Sequence, residues 1–194
     1  LSVENQTTDW LKLGLRALYN HTDNDEPYNY GNSIWHQFVF TSPVRPYQWN
    51  GDPAYPQYDK YNGMYFDDQN PIPLLEKGGR NHSMNEDIWT SFNADLKFMP
   101  GWTGHVDFNY NLNIDKNTSQ RKKVDMIKSN FVPTEGNSTN NSYSVEDNRR
   151  DYYSFNAYTQ YEKTLAKHYF KGMVGYNQEL TKYGSNKGTR LGIL

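Results

Sequence analysis

The chain has 194 residues, a formal net charge of -2 and no cysteine. That excludes a disulfide framework and a thiolate metal site, and it lacks the basic stripe a nucleic-acid partner calls for. Mean hydropathy is strongly negative, yet 16% of residues are aromatic, led by 17 Tyr. Disordered chains are poor in aromatics, so these figures fit strands that alternate aromatic and polar residues between long polar loops. No run of apolar residues is long enough for a transmembrane helix. Barrel strands are not excluded, because they place apolar residues only at every second position.

Strand-type alternation appears five times. The first strand is expected over about 9–20, with Leu11, Leu13, Leu15, Ala17 and Tyr19 on one face. Lys12, Gly14 and Arg16 take the other face. Asn5 to Thr8 reads as a turn, preceded at Leu1 to Glu4 by the end of an earlier strand. The second strand, over 87–98, sets Ile88, Thr90, Phe92, Ala94, Leu96 and Phe98 against Trp89, Ser91, Asn93, Asp95 and Lys97.

The third, over 102–115, carries Trp102, Val106, Phe108, Tyr110, Leu112 and Ile114 opposite His105, Asp107, Asn109, Asn111 and Asn113. A fourth, over 152–162, groups Tyr153, Phe155, Ala157, Thr159 and Tyr161. The fifth, over 169–179, groups Phe170, Gly172, Val174 and Tyr176. None of about 27 positions on the apolar sides is charged, whereas a 22% charged composition would place roughly six there. Helical periodicity is weak, and Val124 to Phe131 is the one short candidate.

Connections alternate in length. Met99-Pro100-Gly101 is a tight turn, and Lys163 to His168 is short. The segments 21–86 and 116–151 are long and rich in Asn, Asp, Gly, Pro and Tyr. Short turns at one end and long loops at the other match periplasmic turns and extracellular loops. The first, third and fifth strands then run outward, and the second and fourth return. Phe98, Trp102, Tyr161 and Phe170 sit beside the turns, whereas Tyr19, Tyr110, Tyr153 and Tyr176 lie toward the loops. Trp102 and Tyr110 are separated by about 26 Å of strand. Tilted, that spans roughly 20 Å of membrane, near the expected apolar band. The fold class expected is all-β, with antiparallel up-and-down strands forming part of a large transmembrane β-barrel. A soluble β-sandwich explains the alternation equally well, but the loop asymmetry and aromatic girdles less well.

Several stretches resemble the SusC/RagA family of TonB-dependent outer-membrane transporters. They are Thr8-Asp9-Trp10-Leu11-Lys12-Leu13-Gly14, Ala94-Asp95-Leu96-Lys97-Phe98-Met99-Pro100-Gly101-Trp102 and Asn156-Ala157-Tyr158-Thr159-Gln160-Tyr161-Glu162-Lys163-Thr164. His168-Tyr169-Phe170-Lys171-Gly172-Met173-Val174-Gly175-Tyr176-Asn177-Gln178-Glu179 extends the last of these. The loop pieces Asn70-Pro71-Ile72-Pro73-Leu74-Leu75-Glu76 and Gly78-Gly79-Arg80 are similar too. The resemblance implies a barrel of about 22 strands in the bacterial outer membrane, with an N-terminal plug, energised by TonB and covered by a SusD-like surface lipoprotein. Its substrates would be glycans, or in some cases peptides. No TonB box or plug is recognised, so the chain reads as an internal fragment of a longer protein.

Candidate binding residues fall in two groups. Trp35, Tyr47, Trp49, Tyr55, Tyr58, Tyr61 and Tyr65 lie in the first loop, stiffened by Pro43, Pro46, Pro53, Pro56, Pro71 and Pro73. Aromatic platforms suit sugar rings, whose faces are apolar; alternatively the rings pack the loop on itself or on a lid protein. Trp89, Asn93, His105 and Asp107 face the expected lumen. There they would bond to sugar hydroxyls or simply form a solvated wall. The carboxylates Asp95 and Asp107 could face each other as a glycosidase pair does, although lumen carboxylates are ordinary in barrels.

No cofactor, metal or catalytic residue is expected. The acidic groups Asp23, Asp25, Glu26 and Asp67, Asp68 lack EF-hand spacing. His21, His36, His82, His105 and His168 lack zinc spacing. The sequons at Asn5, Asn20, Asn81, Asn117, Asn137 and Asn140 read as by-products of Asn-rich loops. The function expected is binding and gated passage in an importer, the alternative being a soluble all-β carbohydrate-binding module. Outer-membrane lipid and an oligosaccharide or peptide substrate would be its partners, with no nucleic acid.

Overall fold

Residues that alternate apolar and polar build long strands in this chain. Its computed structural model describes residues 1–28, 34–41, 46–67, 70–136 and 140–192. Pro43, Asp68 and Asn137 lie outside the described residues. The strands are β1 (Ser2–Thr8), β2 (Leu11–Pro27), β3 (Tyr65–Phe66), β4 (Gly79–Met99), β5 (Trp102–Arg121), β6 (Val124–Ile127), β7 (Pro133–Gly136), β8 (Ser142–Leu165) and β9 (His168–Leu191). Two short α-helices, α1 (Trp35–Phe40) and α2 (Ile72–Lys77), and a 3₁₀ turn, Pro56–Tyr61, fall between β2 and β4. One sheet has the order β1-β2-β4-β5-β8-β9, and a smaller one the order β3-β6-β7. The chain is therefore mostly antiparallel β-sheet and belongs to the all-β class.

Tight turns join the strand pairs. β1 and β2 meet at Asp9-Trp10, with Thr8 opposite Leu11 and a register shift between Gln6 and Thr8. This corrects the expected turn at Asn5 to Thr8: those residues are in β1, and β2 starts at Leu11. The polar run misled because one face of β1 has no apolar residue to mark it. At the β4–β5 turn Gly101 takes φ 82°, and its carbonyl accepts the N–H of Glu162 at 2.7 Å. A Cβ there would collide with the Glu162 carbonyl, so glycine is required. The β8–β9 turn is Ala166-Lys167, shorter than the expected segment, and Ala166 sits at φ 55°.

The chain divides into two compact units. The first comprises residues 1–22, 84–115 and 147–186. It holds the alternating stretches of the long strands. Asp95 with His105 and Asn85 with Asp115 fix one β4–β5 register. Tyr110 on β5 and Tyr153 on β8 meet as tilted rings with centroids 5.0 Å apart.

The second unit comprises residues 23–83, 116–146 and 187–194. Its core is Ile34, Tyr65, Leu74, Val124 and Met126, with Ile72 and Leu75 against it. Ile127 beside them is fully buried. The short helical candidate at Val124 to Phe131 is not a helix, and Val124–Ile127 forms β6. β6 pairs parallel with β3 (Tyr65 opposite Met126, Phe66 opposite Ile127) and antiparallel with β7 (Val124 opposite Gly136, Ile127 opposite Pro133). Ladder bonds on both sides outweigh a weak helical pattern. Phe131, at φ 58°, closes the following turn, where its N–H donates to the Lys128 carbonyl.

Loops 21–86 and 116–151 are shorter and more structured than expected. β2 runs on to Pro27, β4 starts at Gly79, β5 ends at Arg121 and β8 starts at Ser142. These extensions lack apolar alternation. Polar cross-strand pairs hold them instead: Asp25–Arg80 at 2.9 Å, Asp23–His82 at 2.6 Å, Asn81–Ser119 at 2.7 Å and Glu146–Lys187 at 2.7 Å. The Arg80 guanidinium, hydrogen-bonded to Asp25, holds that carboxyl below the usual carboxylate range against the opposing effect of burial.

Two outcomes follow. Truncating Ile127 to Ala should destabilise the second unit by about 2–5 kcal/mol, read as faster amide exchange across β6. A carboxylate with a lowered pKa stabilises the fold above its unfolded pKa and loses that contribution as pH falls through the lowered value. Both Asp25 and Arg80 are about half exposed, so this contribution is modest. An NMR titration of Asp25 should find its midpoint below the ordinary range, and Arg80→Gln should move it upward.

Candidate functional site

Loop aromatics of the second unit separate into packed and outward-facing rings. Phe131 is a hub. Tyr58 stacks on it at 3.8 Å and 6°, and Trp49 meets it edge-on at 4.9 Å. Tyr61 and Phe66 close the cluster at 6.1 and 6.0 Å. The indole N–H of Trp49 is buried and has no hydrogen-bond partner among the described residues. Tyr65 belongs to the core; its hydroxyl donates to Glu76 at 2.5 Å, and that carboxylate pushes the phenol pKa up. Trp35, Tyr47 and Tyr55 remain exposed. The structure thus brings Trp49, Tyr58 and Tyr61 together and leaves Trp35, Tyr47 and Tyr55 outside that cluster.

Trp89, Asn93, His105 and Asp107 all belong to the first unit, on the polar side of β4 and β5. Asn93 rests against the bare backbone of Gly14, where any Cβ would strike it. His105 bridges two carboxylates: Nδ1 lies 2.5 Å from Asp95 and Nε2 lies 2.7 Å from Asp107. The carboxylates therefore share an imidazole between them, and Tyr158 packs on that ring at 5.0 Å. A hollow of roughly 280 Å³ opens here, lined by Trp10, Lys12, Asp95, His105, Tyr158 and Gln160 among others. Lys12 is paired with Glu4 at 2.7 Å. The result is a polar recess with charges of both signs and aromatic walls, suited to hydroxyl-rich ligands.

A second hollow on the same unit, roughly 480 Å³, is bounded by Trp89, Asn109, Asn111, Arg150 and Tyr152. Asn111 is only 1% exposed. Its amide donates to Asp87 at 2.7 Å and to the Ile88 carbonyl at 3.2 Å. The other Asp87 oxygen accepts the Trp89 indole N–H at 2.8 Å. One buried amide thus holds a carboxylate that holds an indole. Sequence reasoning missed Arg150, Tyr152 and Tyr158. The signal was present in strand parity: Tyr152, Ser154, Tyr158 and Gln160 alternate with the apolar face, and the same alternation carried back reaches Arg150.

Among the described residues no group of three or more His, Cys, Asp or Glu could hold a metal ion. No protein-family model matches this chain, and no curated protein matches it.

Asn111→Ala should cost about 1–3 kcal/mol, because it strands the buried side of Asp87. It should also free the Trp89 indole, seen as a red-shifted, more quenchable tryptophan emission.

Proposed function

We propose that this chain is part of the wall of a bacterial outer-membrane β-barrel, from a TonB-dependent importer of glycans or other oligomeric nutrients resembling SusC/RagA. The observation that carries this reading is a broad apolar face left bare. Leu15, Phe92, Phe98, Phe108, Phe155, Phe170 and Val174 share it, and all are exposed, Val174 to 69%. Soluble monomers rarely expose contiguous apolar patches beyond a few hundred Å². Lipid is the solvent in which such a face is stable.

The edges of the face support the same reading. Near the tight turns the Trp102 indole N–H donates to Thr159 at 2.7 Å, and Phe98 lies 5.1 Å away. At the other end Tyr19 donates to Glu86 at 3.2 Å and Tyr110 to Asp151 at 2.7 Å. Rings with an apolar body and a polar tip belong where hydrocarbon meets water.

Substrate would bind the polar face by hydrogen bonding and ring contact, then pass when the gate opens, with no covalent step. A SusD-like lipoprotein would cover the outer side, and TonB would act through an N-terminal plug. The exposed rings Trp35, Tyr47 and Tyr55 would equally serve a soluble carbohydrate-binding module, but the bare apolar face speaks against one.

Two measurements test the reading. Full-length protein should fractionate with the outer membrane and need detergent; recovery as a soluble species without detergent overturns the proposal. Val174→Arg should cost about 2–4 kcal/mol of folding stability in liposomes if that position faces hydrocarbon. On a water-facing surface the same change would stay within roughly 0.5 kcal/mol.

A further inference from the structure

The two hollows of the first unit differ in their charged groups: a carboxylate, two lysines and an imidazole line the first, and among the described residues Arg150 is the one charged side chain lining the second. Around His105 two carboxylates flank the imidazole and Lys12 meets Glu4, while Lys97 adds a further cation to the lining. The hollow beside Trp89 contains Arg150, which is exposed and has no ion pair or hydrogen bond among the described residues. The nearby carboxylate, Asp87, is already committed to Asn111 and Trp89. Its neighbour in sequence, Arg149, is paired with Asp151 at 2.8 Å. Arg150 therefore keeps its planar donor fork free, in a recess walled by an indole and a phenol, with Asn109 and Ser154 beside it.

We propose that this hollow is a subsite for an acidic sugar, a pyranose carrying a carboxylate or a sulfate ester. The guanidinium would take the oxyanion by paired N–H donation, the geometry that suits carboxylates and related anions. Trp89 and Tyr152 would cover the apolar face of the ring. Asn109 and Ser154 would meet its hydroxyls. Trp89 is held for that task, since its N–H is tied to Asp87 and its ring is not swinging free. The proposal rests on reading this face as the lumen of an importer, and names the substrate class for it.

The test is calorimetry on the full-length protein in detergent, with tetragalacturonate, a sulfated galactan tetrasaccharide, cellotetraose and tetra-aspartate as probes. One of the acidic sugars should bind about tenfold or more tighter than cellotetraose, and Arg150→Gln should erase that preference. Preference for tetragalacturonate assigns a carboxylate, and preference for the sulfated sugar assigns a sulfate ester. Arg150→Lys should restore part of the affinity, because charge returns without the fork. Trp89→Ala should weaken the acidic sugar while leaving the fold intact by circular dichroism.

Equal affinity for neutral and acidic sugars, no binding of either acidic sugar, or a preference that survives Arg150→Gln overturns the subsite. So does Arg150-dependent binding of tetra-aspartate as tight as that of the sugars. Fractionation separates this failure from that of the barrel reading. Outer-membrane protein without the preference loses only the subsite, whereas protein soluble without detergent loses the barrel reading.

Discussion

Backbone hydrogen bonding between adjacent long strands is the constraint on which the rest depends. Every buried N–H and C=O needs a partner, and a strand finds its partners only on a neighbour. Once β1, β2, β4, β5, β8 and β9 are ordered side by side, side chains have only two faces to occupy. A one-residue slip would exchange those faces entirely. Register is therefore set by contacts that tolerate no slip, such as Asp95 with His105, Asn85 with Asp115, and Asn93 against Gly14. The apolar face, the polar hollows and the aromatic edges follow from that register. β1 and β9 stand at the two ends of the sheet order among the described residues, and an edge strand calls for a neighbour.

Strand parity was legible wherever an apolar residue marked every second position. Trp102 to Ile114 is the clearest case: the strand begins at Trp102 as expected, and its Pro-Gly turn falls in place. Legibility failed where polar residues occupied both faces. His21 to Pro27 continues β2, yet nothing in His-Thr-Asp-Asn-Asp-Glu-Pro separates a strand from a loop. What holds it is Asp23 meeting His82 and Asp25 meeting Arg80, partners more than fifty residues away in sequence. Val124 to Ile127 failed for a related reason. Its ladder partners, Tyr65-Phe66 and Pro133 to Gly136, are remote or weakly marked, so a short apolar run looked helical.

The candidate binding residues were legible by residue type, but not the contacts each of them makes. Trp49, Tyr58 and Tyr61 share the composition of a sugar platform, yet all three contact Phe131, Tyr58 face to face, Trp49 edge-on and Tyr61 at a tilt. Phe131 entered only as the end of a short helical candidate, and its left-handed backbone places its ring where no periodicity points. His105 and Asp107 were legible as residues of the polar face, but the bridging of Asp95 and Asp107 by the His105 imidazole needed the β4–β5 register. Arg150 lay just beyond the strand as read from its apolar side. Its significance comes from what its neighbours have already bonded, which composition cannot convey.

The Phe131 cluster also bears on the rings that do face outward. The Tyr47 carbonyl accepts the Asn70 amide at 2.7 Å and the Phe66 N–H at 3.1 Å. Tyr55 is tied by its N–H to Asp52, and its carbonyl accepts from Tyr58, whose ring is stacked on the hub. The backbones carrying Tyr47 and Tyr55 are thus immobilised before any ligand arrives. A ligand landing on them would freeze little more than two side-chain torsions per ring, so most of the ordering entropy of association has been settled at folding.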